Sequence, residues 1–304
     1  MEEKPAAPHL PLICALALFP ALLLWTATAR AQQAASALSA NPVVRYFRDW
    51  FPRVTRIQKE QPHWVTPLVT VTPRLEQEYR YDQFWQAQRH GRSLNNFGGG
   101  KGLELIPFEN TEIILGVPAW IAHGGKKIHG TRKRIAPSDG WGDETFLLKY
   151  RLLSANEENG NYLLTAFLGF SAPTGDAANS SGHFIFTPTI AGGKGWGNFD
   201  VQSTVGISIP NGGEDRLGMP LAWNTAFQYH VYRYLWPEFE VNYTWWPNGN
   251  RTGLNQVFLT PGLVLGRFPI HDRIGVTIGG GFQVAVTHQP TYNHAAILSV
   301  RMPF

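Results

Sequence analysis

The sequence predicts an all-β fold: one transmembrane antiparallel β-barrel of about twelve strands, with both termini periplasmic. Three observations carry that prediction. From about residue 66 onward, segments alternate apolar and polar side chains with a period of two. The connections between these segments alternate between short turns and longer polar loops, which is how barrels of this class arrange their two ends. The composition is 43% hydrophobic and the mean hydropathy is −0.18, values that suit strands apolar on one face only. The Trp 11, Phe 18 and Tyr 10 content then supplies aromatic girdles at two membrane interfaces.

The chain opens with an almost wholly apolar run, Leu10 to Trp25, followed by the small-x-small pattern Ala29-Arg30-Ala31. Residues 1–31 therefore read as a cleaved secretory signal peptide, and the destination as the outer membrane of a Gram-negative bacterium. A membrane anchor fits less well, because the run is short of the roughly 20 residues a spanning helix needs and contains Pro11 and Pro20. Glu2 and Glu3 offset Lys4, a departure from the usual basic start of a signal. Cys14 is the single cysteine, and it leaves with the signal; Leu12-Ile13 before it does not form a lipoprotein box. A mature exported chain without cysteine has no disulfide framework, so its stability must come from size or from the membrane.

Residues 32–63 form an N-terminal periplasmic segment. Its first part, 32–40, is polar and alanine-rich and is expected to be disordered. Asn41-Pro42 is a helix start, a cap followed by proline at the first helical position. Val43, Phe47, Trp50, Val54 and Ile57 then recur every three or four residues, with Arg45, Arg48, Arg53, Arg56 and Lys59 largely elsewhere, and Pro52 is expected to kink or end the helix. Three roles remain open for this basic amphipathic segment: lying on the inner leaflet, entering the lumen as a plug, or forming a mobile tail.

Residues 64–304 are assigned to the barrel. Its strands are predicted near 66–85, 100–106, 111–123, 143–154, 161–173, 183–193, 198–210, 220–232, 238–247, 255–267, 273–287 and 294–304. Phe199, Val201, Val205, Ile207 and Ile209 lie opposite Asp200, Gln202, Thr204 and Ser208, and Phe239, Val241, Tyr243 and Trp245 lie opposite Glu240, Asn242, Thr244 and Trp246. Ala296, Leu298, Val300, Met302 and Phe304 end the chain on a strand that resembles the signal read by the barrel assembly machinery, an expected partner alongside outer-membrane lipid and lipopolysaccharide.

If the apolar face meets lipid, the other face lines the lumen. That face carries Glu76, Glu78, Arg80 and Asp82 on the first strand, then Glu104, Glu112, Lys149, Arg151, Asp200, Gln202, Gln228, His230, Glu240, Asn242 and Arg301. Both signs are present and neither dominates, which predicts a weakly selective, water-accessible interior or one closed by ion pairs. A lumen position such as Glu240 is expected to tolerate exchange of sign. Gly275, Gly279, Gly281 and Ala285 either widen the lumen, admit a plug, or relieve crowding in a coiled wall.

Enzyme and ligand motifs are weak. Ser180, Ser181 and His183 are close, as a membrane acyl hydrolase would need, but sit at a loop-to-strand junction. His123, His129, His288 and His294 have no zinc spacing. The basic cluster Lys126, Lys127, Arg132, Lys133 and Arg134 is either a solvated loop or a contact for lipopolysaccharide phosphates. No cofactor or nucleic acid is needed to explain the sequence, so the chain is read as a non-enzyme.

Two stretches carry a family resemblance: Gly169-Phe170-Ser171-Ala172-Pro173-Thr174-Gly175-Asp176, and Gly193-Lys194-Gly195-Trp196-Gly197-Asn198-Phe199-Asp200-Val201-Gln202. They resemble the core of the outer-membrane proteins of the phenol-degradation meta-pathway family, over about 64–304. The resemblance implies a barrel that passes small solutes, aromatic or hydrophobic ones among them, by passive diffusion, and it carries no catalytic residues. A non-conducting structural barrel and, further off, a lipid-modifying hydrolase are the alternatives.

Overall fold

A computed structural model of the chain describes residues 41–98, 101–125 and 138–304. The signal-peptide and 32–40 readings lie outside the described residues, as do His129 and the basic cluster Lys126 to Arg134.

The described part of the first unit, residues 41–53, is helical. Asn41 caps helix α1 (Pro42–Arg48) by accepting the Val43 N–H at 2.9 Å. A second helix, α2 (Trp50–Lys59), follows directly. Its restart at Trp50 puts Pro52 in the first turn, where the missing N–H has no intrahelical partner to lose, so this proline does not end the helix. Within this unit Arg53 lies over the rings of Tyr46 and Trp50.

The second unit, Val54–Phe304, is a closed antiparallel barrel. Its twelve strands are β1 (Glu78–Ala87), β2 (Ser93–Phe97 and Gly102–Phe108), β3 (Thr111–Gly116 and Trp120–Gly124), β4 (Gly140–Trp141 and Glu144–Ala155), β5 (Tyr162–Ala172), β6 (Ile185–Trp196), β7 (Phe199–Ile207 and Ile209–Pro210), β8 (Leu221–Tyr229), β9 (Leu235–Trp245), β10 (Asn255–His271), β11 (Ile274–Ala285) and β12 (His294–Pro303). Each pairs with its sequence neighbours, and β12 returns to β1 from Glu78↔Pro303 to Ala87↔His294, which leaves no open sheet edge. Strands β2 to β4 are each interrupted. In β3 the break is Val117-Pro118-Ala119, where proline cannot donate to the ladder.

Alternation sorts the side chains by face. Outward are Leu148, Leu168, Ile190, Val205, Phe239, Ile278 and Phe282, all exposed. Exposed aromatics ring both ends: Phe108, Tyr162, Trp196 and Tyr229 at the short turns, and Trp85, Trp120, Trp141, Phe186, Trp223 and Trp245 at the long loops. This is the surface of a bilayer-spanning barrel. Among the described residues no helix is long and apolar enough to cross a membrane.

The predicted strands are found from the third onward to within a few residues, but the first is not. Residues 66–77 make no ladder; β1 starts at Glu78, and β2 starts at Ser93 rather than 100. Pro67 and Pro73 cannot donate to a ladder and are the local reason. The segment lies inside the barrel.

Candidate functional site

Residues 60–77 enter the interior and turn back within it without helix or strand, so that Gln61 and Leu75 meet. Gln61, Trp64, Thr66, Leu68, Thr70, Thr72, Leu75 and Gln77 are all buried. A chain with no ladder must still satisfy its backbone. Part of this is internal: the Gln61 amide donates to the Leu75 carbonyl at 2.8 Å and accepts the Leu75 N–H at 3.0 Å. The rest comes from inward side chains of the wall.

The Thr66–Thr70 stretch is gripped from two sides. Glu240 on β9 accepts the N–H of Val69 at 2.7 Å, the N–H of Thr70 at 2.6 Å and the Thr70 hydroxyl at 2.6 Å. Glu238, two residues before it, accepts the Leu68 N–H at 3.1 Å. From the other side Arg301 on β12 donates to the carbonyls of Thr66 and Pro67, and Arg80 on β1 donates to that of Leu68 at 2.7 Å. Carboxylates thus hold the donors and guanidinium groups hold the acceptors of one short stretch.

The wall also makes room for it. A Cβ added to Gly262, Gly279 or Gly281 would lie 2.5, 2.6 or 2.7 Å from a Leu68 methyl, and one on Gly193 would lie 2.5 Å from the Trp64 ring. Leu68 packs with Trp236 and Val264. The glycines at 279 and 281 therefore admit the luminal segment; Gly275 instead faces the Arg267 side chain.

Further along, Gln202 accepts the Thr72 hydroxyl at 2.7 Å and donates to the Val65 carbonyl at 3.0 Å. Thr165 donates to Pro73 at 2.6 Å, and Lys149 to Arg74 at 3.1 Å while pairing with Glu112 at 2.9 Å. Glu112 also accepts the Glu76 N–H at 2.5 Å. Nearer the turns, Arg151 donates to the Ile57 carbonyl at 3.2 Å, and Glu157 accepts the His63 N–H at 2.6 Å. Burial works against ionising Glu157, but the His63 hydrogen bonds outweigh it and hold this turn carboxylate below its ordinary range.

The remaining sequence-derived lumen residues are placed as follows. Asp82 pairs with Arg80 at 2.8 Å, and Glu76, which precedes β1 and belongs to the luminal segment, pairs with Arg74 at 2.8 Å. Glu78 and Glu104 are buried on β1 and β2, and Asp200 takes a hydrogen bond from Gln202 at 3.1 Å. Gln228 bridges Gln202 at 2.9 Å and Glu238 at 2.7 Å. His230 lies just past β8, in the turn, its ring stacked on Trp236 at 4.0 Å. Asn242 joins a neutral network toward the loop end with Thr260 at 3.3 Å and Gln283 at 2.9 Å.

The structure bears on two expectations. Glu240 does not face water in an open pore: its carboxylate is filled by luminal-segment donors, so reversal of sign would oppose cation to N–H. The interior is closed by ion pairs together with a chain segment, a combination that charge counting alone does not show. The sequence reading missed Glu238, Thr66, Leu68, Thr70 and Arg74; the run of Pro62, Pro67 and Pro73 was the available signal.

On the loop side of the segment lies a cavity of about 190 Å³, lined by Val71, Leu147, Phe167, Thr187, Thr189, Thr204, Ala222 and Asn224 among others. It has no ionised side chain in its lining. Above it, Pro173-Thr174-Gly175-Asp176 fastens the β5–β6 loop to the break in β4. Thr174 accepts the Glu144 N–H at 3.0 Å, Gly175 donates to Asp143 at 3.0 Å, and Asp176 accepts the Trp141 N–H at 2.7 Å. A Cβ at Gly175 would lie 2.7 Å from the Gly142 backbone. Ser181 Oγ lies 2.7 Å from Asp143 and 2.7 Å from the His183 carbonyl oxygen, so it donates toward a carboxylate and a backbone oxygen. His123 Nε2 sits 2.7 Å from Asn179.

The closed wall and the side-chain-filled interior define the class: a transmembrane β-barrel of outer-membrane type. Among solved structures, the crystal structure of an outer membrane channel from Pseudomonas putida F1 is similar in fold, with a TM-score of 0.50, 16% identity, and coverage of 74% of this chain and 93% of that one. OmpF of Salmonella typhi matches more loosely, with a TM-score of 0.35 and 9% identity over 75% of this chain and 96% of that one. The channel DcaP of Acinetobacter baumannii gives 0.29 and 7% over 75% and 96%. The overlap with these last two is too loose to bear on strand count or function. No protein-family model and no curated protein matches the chain.

Proposed function

We propose that this chain is an outer-membrane channel for small, largely uncharged solutes, gated by its own residues 60–77. The observation that carries this reading is the way the luminal segment is held. Its backbone is bound to wall side chains and not to a strand ladder, so it can leave or shift without breaking the barrel. Short turns and both termini face the periplasm, and the segment guards the periplasmic half of the lumen. The loop-side cavity is the solute vestibule. At about 190 Å³, it is comparable with the roughly 150 Å³ apolar cavity that suffices for benzene. This vestibule and the family resemblance of 169–176 and 193–202 support passive diffusion of aromatic or hydrophobic solutes; the likeness to a solved outer membrane channel agrees with the channel part of the reading.

The experiment is conduction and flux with the refolded chain. In planar bilayers the native protein should give small or rare steps, and a variant lacking the luminal grip should give larger ones. Liposomes should admit small phenols faster than sugars of similar size. A variant that folds, loses the grip and still passes neither ion nor solute would favour the sealed structural barrel.

A further inference from the structure

The connection from β11 to β12, residues 286–293 at the long-loop end, is mostly exposed. Tyr292 is the side chain that it turns back into the barrel. Its ring stacks on Phe258, buried on the inner face of β10, with centroids 4.4 Å apart and planes 22° from parallel. Its hydroxyl donates to the side-chain oxygen of Gln283 on β11. The backbone on either side is pinned: Thr291 donates its N–H at 3.0 Å and its hydroxyl at 3.1 Å to Gln256, and the Asn293 N–H donates to the Ala87 carbonyl at 2.8 Å. Tyr292 can therefore leave Phe258 by rotating about its own side-chain bonds while the loop stays in place.

Gln283 is oriented from behind. Its amide nitrogen donates to Asn242 at 2.9 Å and to Thr260 at 3.1 Å, which turns its oxygen, an acceptor, toward the ring. Asn242 donates in turn to Asn224 at 3.2 Å, and Asn224 lines the vestibule. A relay of neutral amides thus runs from the vestibule to a single acceptor beside an aromatic face.

That pair recognises a flat aromatic ring carrying one hydrogen-bond donor. An alkyl solute would leave the acceptor unpaired, and an aromatic carboxylate would set oxygen against oxygen. Tyr292 is a ligand of the favoured kind that is covalently attached. We propose that Tyr292 is the internal occupant of a solute site formed by Phe258 and Gln283, and that an aromatic alcohol or aromatic amine displaces it. The inference rests on the channel reading and narrows its solute class. Displacement exchanges one stacked ring and one hydrogen bond for another of the same kind. An attached competitor acts at an effective concentration on the order of millimolar, so the native site takes its solute weakly, and affinity rises when the competitor is weakened.

The test uses the full chain, folded with 3-fluorotyrosine incorporated, and the fluorine resonance of Tyr292 assigned by its loss in Tyr292→Phe. The probe is 4-methylphenol, the tyrosine side chain set free, with toluene as the same ring lacking the donor. At equal free concentration 4-methylphenol should move the Tyr292 resonance, saturably, to the position of a solvent-exposed tyrosine, and toluene should need roughly tenfold more. Tyr292→Phe, read by calorimetry, should bind 4-methylphenol about tenfold more tightly than the native chain, because its ring competes without a hydrogen bond. Gln283→Met should bind the two probes alike. A resonance that stays in place, a Tyr292→Phe affinity no better than native, or a preference for 4-methylphenol that survives Gln283→Met overturns the proposal. Heat-modifiable gel migration checks that each barrel is closed, and Tyr292→Phe carries the test if Gln283→Met does not fold. Liposome flux separates the two readings: displacement without flux upholds the site and refutes the channel, whereas flux without displacement upholds the channel and refutes the site.

Discussion

Glu240→Gln is the most incisive perturbation of the luminal grip. The carboxylate accepts three hydrogen bonds from the segment, at 2.7, 2.6 and 2.6 Å, inside a buried site. Hydrogen bonds to a charged group contribute about 1.5–3 kcal/mol each. Gln keeps one acceptor oxygen but turns an N–H₂ toward donors, so at least one bond is lost and one donor is left facing another. Bonds in one network do not add simply, and a loss of about 4 kcal/mol is a conservative figure for the site. At about 1.4 kcal/mol per decade, that shifts the held-to-released ratio by a factor of several hundred. The assay is single-channel recording of the folded variant, with limited proteolysis at residues 60–77 as a second readout. Open probability and cleavage should both rise by orders of magnitude, whereas Glu158→Gln on an exposed turn should change neither. If the Gln variant folds and the segment stays equally protected, the grip does not hold the segment and the gating argument fails. Glu240→Lys should release the segment further still, the opposite of the tolerance expected from a water-filled pore.

Steric release should match electrostatic release: Gly279→Val places atoms where a Cβ alone would already lie 2.6 Å from Leu68, so it should raise conductance, and adding Leu68→Ala should restore part of the closure. Leu68→Ala alone removes a buried side chain at the contact with Trp236 and Val264 and should weaken segment retention by about 2–5 kcal/mol, read as protease sensitivity. The lowered pKa of Glu157 gives a pH prediction: its contribution is present above the unfolded carboxylate value of roughly 4.3 and is lost as pH falls through the lower folded value. Hydrogen exchange near His63 should therefore quicken in acid, and Glu157→Gln should remove that dependence; an unchanged acid profile in the variant would assign it elsewhere. Phe239→Lys, on the exposed apolar face, should cost about 2–4 kcal/mol if it lies near the bilayer midplane, and should cut the folded fraction on an unboiled gel.

Period-two alternation served well wherever one face met lipid. In β7 and β9 the phase of Phe199, Val205 and Phe239 against Asp200, Gln202 and Glu240 is the phase of exposure against burial. It misled at 65–72 for a physical reason. Val65-Thr66-Pro67-Leu68-Val69-Thr70-Val71-Thr72 alternates like a strand, yet Thr66, Leu68, Thr70 and Thr72 are buried and Val65, Val69 and Val71 half-buried inside the lumen, and neither phase meets lipid. Alternation reports a boundary between two environments only when there are two environments, and a chain inside a lumen has one. The glycines that receive Leu68 were visible as a small-residue stripe, but nothing local says which distant side chain fills such a stripe.

The same contrast bears on what the segment can do. A strand in this barrel is held by ladder bonds on both edges, and removing one opens the wall to lipid, where unpaired backbone groups cost several kcal/mol each. The luminal segment is held by Glu238, Glu240, Arg80, Arg301 and Gln202, side chains that stay anchored to an intact wall when it departs. After departure those charges face one another and entering water, with Arg80 already paired to Asp82 and Lys149 to Glu112. In the proposed gate the released state is therefore a hydrated lumen in a closed barrel. The two states of the proposed gate differ in the placement of some eighteen residues while the ladder is unchanged, and this asymmetry between wall and segment is what a gate requires.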